Sequence, residues 1–461
     1  MKILFRLWIV ALASLASAQT SKISPDLASK IDAIAQHEVT ARGVPSASIA
    51  VVQHGEIVYR KAYGKARVDP PVAARPDMRY SIGSVSKQFT ATAILMLAEQ
   101  GKLSLDDPVS RFVPDLTRAN EVTIRELLSH TSGYQDYWPQ DYVPPFMLKP
   151  VTAREIMDQW ARKPLDFDPG TKWQYSNTNF VIAGVIIEKA SGMPMFQFIQ
   201  SKLFAPLKMN SVLNIDQERL GDTDATGYMR YALGPPRVAP KEGKGWLFAA
   251  GELAMTSEDL AKWDIALMKQ TLLKPESYRQ METQVGLKTG ISTTYGMGID
   301  IKEISGHRVW SHGGEVSGFT THNAVFPDDR AAVVVFINQD SGGAASAIAQ
   351  GIAPLLFDLS VQRSSLTRDR EIFEGLQQGK IDRSQFTSNA NSYFTEQAVK
   401  DFASSLGPLG APLSFVQTQQ EDRGGMTFHA YSARFADRTL GVWVREMPDG
   451  KVEQYQVSAS D

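Results

Sequence analysis

The sequence predicts an α/β (α+β) fold: one antiparallel sheet assembled from distant segments, with helices between them, followed by a second, smaller α+β module. Three observations predict this. Apolar, partly β-branched runs stand early, at 46–52 and 56–62, and again late, at 307–310, 320–326 and 331–338. Between them the apolar residues recur mostly at helical spacing. After residue 360 the pattern restarts with two helical stretches and four short strands.

The elements follow in order. Residues 46–52 and 56–62 flank His54-Gly55 and read as a hairpin. A helix is expected from Ser84, carrying Phe89, Ala93, Ile94 and Leu97 on one face. Residues 123–129 form a short helix ending before Gly133. Residues 177–190 are apolar along most of their length and end at Ser191-Gly192, as a buried helix would; 196–204 is another. Thr256 with Asp259 makes a capping box for a helix to Lys269. Strand 307–310 leads into His312-Gly313-Gly314, and Pro327-Asp328-Asp329 turns 320–326 back onto 331–338. A last apolar helix is expected over 344–359.

Residues 361–370 are polar and charged and read as a linker. Beyond it, 371–379 and 395–406 look helical, and 413–417, 426–435, 440–447 and 452–457 look like strands, with Pro448-Asp449-Gly450 as a turn. The expected division is therefore 1–18, 19–360, a linker at 361–370, and a module at 371–461 of ordinary domain size.

Composition excludes several classes. A formal net charge of −2 gives no reason to expect nucleic acid or an anionic membrane surface as a partner. The chain has no cysteine, which excludes a disulfide framework, a thiolate metal site, a cysteine nucleophile and a lipid-modified N-terminal cysteine. The histidines show no metal-ligand spacing, and no metal or other cofactor is expected. Lys2 and Arg6, the apolar run 7–15 and Ala16-Ser17-Ala18 read as a secretory signal cleaved after Ala18. That places the mature protein in the periplasm or outside the cell, with no integral membrane segment.

Three short motifs carry chemistry: Ser84-Val85-Ser86-Lys87, Tyr175-Ser176-Asn177 and His312-Gly313-Gly314. A Ser-x-x-Lys arises about once by chance in a chain of this length. Each of these patterns, however, occurs only once here, and their order suits a site built from a helix start, a loop and a strand. Serine and lysine three apart share one side of a helical turn, so the amine can reach the hydroxyl. At a helix start the hydroxyl also faces the positive end of the macrodipole. Burial or a nearby cation would depress the lysine and let it accept a proton. A tyrosine can serve as base near neutrality only if cations hold its phenolate, and Lys87 and His312 are the candidates.

The motifs, together with Tyr80-Ser81-Ile82-Gly83, Leu105-Asp106-Asp107-Pro108, 127–133, Ala205-Pro206-Leu207, 259–263 and Gly318-Phe319, resemble the penicillin-recognising serine hydrolases of the class C β-lactamase type. The resemblance covers roughly 25–358. It implies a β-lactamase/transpeptidase-like sheet flanked by helices with a helical subdomain. The region after it weakly resembles cystatin-like or NTF2-like domains.

The resemblance further implies an acyl-enzyme on Ser84, with Lys87 and Tyr175 moving protons and Asn177 holding the lysine and the substrate carbonyl. The backbone N–H groups of Ser84 and Glu315 would form the oxyanion hole, and Gly313 and Gly314 would let the strand approach the substrate. His312 stands where class C β-lactamases carry lysine, which shifts the expectation from β-lactams towards D-peptidases, D-aminopeptidases and esterases. The expected substrate is a small ester, amide or peptide, D-amino-acid peptides included. The alternatives are a β-lactamase or D-Ala-D-Ala carboxypeptidase, and, from another class, a non-catalytic ligand-binding protein of the same fold.

Overall fold

The computed structural model describes residues 23–304, 307–340, 342–357, 360–447 and 450–459. The signal-like segment 1–18 and two residues of the expected 448–450 turn lie outside them.

The main sheet has seven strands: β1 (Ser46–Gln53), β2 (Glu56–Arg67), β3 (Val72–Ala73), β4 (Asp300–Ile304), β5 (His307–Val316), β6 (Phe319–Phe326) and β7 (Ala331–Ile337). Their order across the sheet is β3-β2-β1-β7-β6-β5-β4, and every pairing is antiparallel. The joint between the two chain ends is β1 on β7, with Ile49 opposite Val335 and Val51 opposite Val333.

Both faces of this joint are covered, so its strands read as continuous apolar runs. Ala50, Val52, Val334 and Phe336 belong to one core; their neighbours Ile49, Val51, Val333 and Val335 belong to another. The period-two geometry of a strand produces that split. The first core contains α2 (Ser86–Glu99), α3 (Asn177–Ser191) and α4 (Ser257–Lys269). The second lies under α1 (Pro25–Arg42) and α5 (Ala344–Ile352). Each large apolar side chain buried here is worth roughly 1.5–3 kcal/mol relative to exposure. The two layers thus fix the sheet whose edge region carries β5.

Helix α1 has no counterpart in the sequence reading. It buries only Ile31 and Ala35 fully, so its periodicity is faint; its ends are nonetheless capped by Ser24 and by Gly43 at φ +62°.

Beyond the main sheet, β8 (Ser414–Arg423), β9 (Met426–Arg434), β10 (Thr439–Glu446) and β11 (Val452–Ala459) form a four-stranded antiparallel meander. Phe373, Phe415, Tyr431, Val442 and Val444 close a third core on it. The expected linker at 361–370 is instead part of α6 (Ser360–Gln377). Polar composition does not break a helix when glycine and proline are absent, as they are from 360–370. Leu366 and Ile372 on α6 pack into the third core, which gives the helix its apolar stripe. A second helix, α7 (Glu396–Leu406), lies between α6 and the meander in sequence. None of the described helices is long and apolar enough to cross a membrane.

Candidate active site

The three motifs meet at one end of the main sheet. Ser84 sits in a 3₁₀ turn, Gly83–Val85, that runs directly into α2, so the α-helix proper begins two residues later than expected. Lys87 is in the first turn of α2 and is fully buried. Asn177 opens α3, and His312 lies on β5.

Close packing explains one of the two motif glycines. A Cβ on Gly314 would come within 2.0 Å of the Ile82 carbonyl oxygen, whereas a Cβ on Gly313 would meet nothing nearer than 4.0 Å. Gly314 therefore lets β5 pass against the turn that carries Ser84, and Gly313 is not sterically required. Gly83, at φ +49°, faces the same strand: its Cβ would lie 2.8 Å from the Glu315 nitrogen.

Lys87 Nζ lies 2.9 Å from Ser84 Oγ and donates to Asn177 Oδ1 at 2.8 Å and to the Ala250 carbonyl at 2.9 Å. A neutral amine has two N–H donors and one lone pair. Two of these partners can only accept, and the third, a hydroxyl, can donate, so the surroundings match the neutral form. Burial, partly offset by the charge of Asp136, pushes Lys87 down to about 7. The rings of Tyr175 and Phe180 wall the amine at 4.9 and 5.4 Å.

Tyr175 moves the other way. Its hydroxyl is buried beside Ser84; burial raises it well above its ordinary value, more than the interaction with Ser84 lowers it. The expected cation at His312 is absent as well. Burial, with Lys87 nearby, pushes His312 down to about 3. Its Nδ1 is 2.5 Å from the Gly313 carbonyl and can only donate there; its Nε2 is 2.8 Å from Tyr295 Oη and accepts from it. His312 is thus a neutral, single-tautomer ring with both nitrogens occupied. It does not supply the charge that a phenolate on Tyr175 needs.

Two further residues, Asp136 and Tyr295, complete the site and were not singled out from sequence; a third, His130, lies in the 127–133 stretch that carries the resemblance. Asp136 accepts from the Asn177 N–H at 2.9 Å and lies 3.3 Å from its side-chain amide, which turns Oδ1 of Asn177 towards Lys87. Tyr295 fixes His312. His130 packs against Tyr175 with ring centroids 4.2 Å apart and planes tilted by 35°, and accepts from the Ser176 N–H at 3.2 Å. Asp136 and Tyr295 lie in irregular stretches with no local pattern to mark them; their role depends on tertiary placement.

The site opens into a cleft of about 1210 Å³ lined by Ser84, Tyr175, Asn177 and His312. Among the described residues lining it, Arg237 is the sole arginine or lysine, against the carboxylates of Asp136, Asp141, Glu315 and Asp340. No described cluster of histidine, aspartate and glutamate has the arrangement to hold a metal ion.

Residues 31–355 match the family model described as Beta-lactamase. Penicillin-binding protein 4* of Bacillus subtilis (strain 168) is 30% identical over 308 residues, 64% of this chain and 68% of that relative. The chain spans about two thirds of the length of the curated relatives it matches. Among solved structures, a D-stereospecific amidohydrolase from Streptomyces sp. is similar with a TM-score of 0.62 and 28% identity, covering 71% of this chain and 99% of the other. D-amino acid amidase from Ochrobactrum anthropi SV3, complexed with L-phenylalanine amide, has a TM-score of 0.62 and 28% identity, covering 74% of this chain and 99% of the other.

Proposed function

This chain belongs to the β-lactamase family of serine hydrolases, and we propose that it is an exported enzyme cleaving small esters or amides, D-amino-acid amides and peptides among them, through an acyl-enzyme on Ser84. The observation that carries this reading is the buried Lys87, with no carboxylate in hydrogen-bond contact and its Nζ 2.9 Å from Ser84 Oγ.

In this mechanism Lys87 takes the Ser84 proton as Oγ attacks the substrate carbonyl. The backbone N–H groups of Ser84 and Glu315 hold the oxyanion, across the close approach that Gly314 permits. Tyr175, neutral in the resting site, donates its phenol proton to the departing alkoxide or amine and recovers one from Lys87. Water then attacks the acyl carbon and gives its proton to Lys87; the bond between that carbon and Oγ breaks, Ser84 Oγ takes the proton back from Lys87, and the acid leaves. Asn177 keeps Lys87 in reach and offers its amide to the substrate. Transferring the tyrosine's role from base to acid follows from its burial without a permanent cation beside it.

The substrate preference rests on charge. A neutral His312 and a cleft carrying more carboxylates than cations favour a substrate without a carboxylate beside the scissile bond, and accommodate an amine. The amidase names among the similar structures support the same direction. A panel of nitrophenyl acetate, D- and L-phenylalanine amide and nitrocefin, each run with Ser84→Ala as blank, tests it. Ser84-dependent turnover of ester or D-amide ahead of nitrocefin is expected; a preference for nitrocefin would overturn it.

A further inference from the structure

Three of the most exposed large apolar side chains in the described structure converge on the active-site cleft: Tyr142 at 66%, Tyr231 at 70% and Val238 at 67% exposure. They come from two anchored loops. The first is tied to the catalytic machinery, because Asp136 accepts from both the Asn177 and the Trp138 N–H groups, and Trp138 Nε1 donates to the Tyr142 carbonyl at 2.9 Å. The second is a two-stranded turn, Tyr228–Met229 on Arg237–Val238, pinned to the end of the main sheet where the Tyr228 N–H meets the Gly318 and Asn338 carbonyls. A cleft of about 1210 Å³ is also larger than a catalytic centre alone requires.

Exposed aromatic rings held by fixed backbone lose little freedom on covering a ligand. We propose that Tyr142, Tyr231 and Val238 form a substrate subsite for an aromatic or bulky apolar group attached near the scissile carbonyl. This rests on the hydrolase reading above and narrows its substrate class. The test compares kcat/KM for nitrophenyl 3-phenylpropanoate and nitrophenyl acetate in the wild type, in Tyr142→Ser/Tyr231→Ser and in Tyr142→Leu/Tyr231→Leu. The wild type should favour the phenyl ester; the serine pair should lose about 10-fold of that ratio, and the leucine pair should keep most of it. Any general loss of turnover cancels in the ratio. A ratio unchanged by the serine pair would overturn the subsite, whereas a wild type inactive on both esters would instead sink the hydrolase reading.

A different observation carries a second inference. Phe248 has φ +27°, a strained conformation for a non-glycine residue, and begins the short helix Phe248–Gly251. That helix supplies the carbonyls of Ala249, bonded by Thr90 Oγ1 at 2.7 Å, and of Ala250, bonded by Lys87 Nζ. Strain of this kind persists only where the surroundings enforce it. Here the enforcing group is Asp216: it accepts from the Phe248 N–H at 2.6 Å and also from the backbone of Gly245 and Leu247. Two residues earlier, Asn214 donates to Glu252 at 2.8 Å, so one loop clamps both ends of the strained turn.

The geometry points to Asp216 as a positioning residue that holds the Ala250 carbonyl against Lys87. Losing that acceptor disfavours the ammonium form, so the acid limb of the pH–rate profile should move to lower pH. The other groups acting on Lys87, namely Ser84, Asn177, Asp136, Tyr175, His130 and His312, are unchanged by the substitution. Asp216→Ala should lower kcat on nitrophenyl acetate by roughly 10²-fold with little change in KM. Asp216→Asn keeps one acceptor oxygen and should fall between the two, and it serves if the alanine variant does not fold. A purely structural role would lower Tm and leave the acid limb in place. A folded variant with a wild-type limb and wild-type kcat would overturn the assignment; a wild type with no limb near neutrality would count against the Lys87 reading instead.

Discussion

Two of the places where the described residues bury charged side chains handle them in opposite ways. In the C-terminal β domain Arg368 lies 2.7 Å from Asp369 Oδ1 and 3.0 Å from Glu446 Oε2; Tyr431 donates to Asp369 Oδ2 at 2.7 Å, and His429 Nε2 is 3.2 Å from Glu446 Oε2. Burial alone would raise Glu446, but hydrogen bonds from His429, Arg368 and Ser365 outweigh it and hold the carboxyl down to about 2. Asp369, buried more deeply, stays raised despite Arg368. Next to Ser84, by contrast, Lys87 is buried with no carboxylate in hydrogen-bond contact, and its pKa falls to about 7. Paired burial fixes a helix to a sheet; unpaired burial lowers an amine to about 7, where it can serve as the base proposed above.

The largest expected effect removes the nucleophile. Ser84→Ala should abolish covalent labelling by a fluorophosphonate probe and cut turnover by on the order of 10⁴-fold or more, with the fold intact. Labelling retained in this variant would break the comparison at its first step.

Lys87→Met against Arg368→Met sharpens it. The lysine variant should lose roughly 10³-fold in turnover, as for a lost general base, without losing thermal stability. The sign follows from linkage. Lys87 binds its proton below about 7 when folded but below its ordinary 10.5 when unfolded, so it opposes folding fully below about 7 and progressively less as pH rises to 10.5. Arg368→Met should do the reverse: Ser84 labelling intact, and stability down by about 3 kcal/mol because Asp369 and Glu446 lose their partner. The depressed Glu446 contributes stability above its ordinary 4.5, lost as pH falls towards 2, and melting curves in that window should show it. Equal Tm losses in both variants would erase the distinction.

Tyr175→Phe should reduce turnover of the amide by about 10²-fold and of nitrophenyl esters less, because nitrophenolate needs no proton to leave. Equal losses on both would argue that the tyrosine acts as base instead. The smallest effect is expected from truncation near Leu359, before α6: the protein should fold and label at Ser84 as the full chain does. A soluble, folded truncation that no longer labels would show that the C-terminal domain completes the site.

Much of this was legible in the sequence because it is local. Ser84 and Lys87 share one turn, Gly314 stands in the one motif position where β5 must pass closely, and Thr256 and Gly192 mark helix ends. What escaped depends on distant packing. Asp136 and Tyr295 come from irregular chain, and whether His312 carries a charge is decided by burial and by Tyr295, neither of which its motif encodes. The stretch 361–370 of α6 read as a linker because its apolar stripe is thin and its bonding partners Tyr431, Glu446 and Tyr455 stand 62 or more residues later, in the β8–β11 meander.

The most direct test of the unpaired lysine is the pH dependence of Ser84 acylation, measured as the second-order labelling rate with a neutral ester or fluorophosphonate from pH 5 to 9, the range around the value of about 7. A neutral Lys87 is required, so the rate should rise through a single ionisation near 7 and level above it, and the same limb should be missing in Lys87→Met. A rate that is flat across this range, or that keeps rising about tenfold per pH unit to pH 9 without levelling as an unperturbed lysine would dictate, would contradict it.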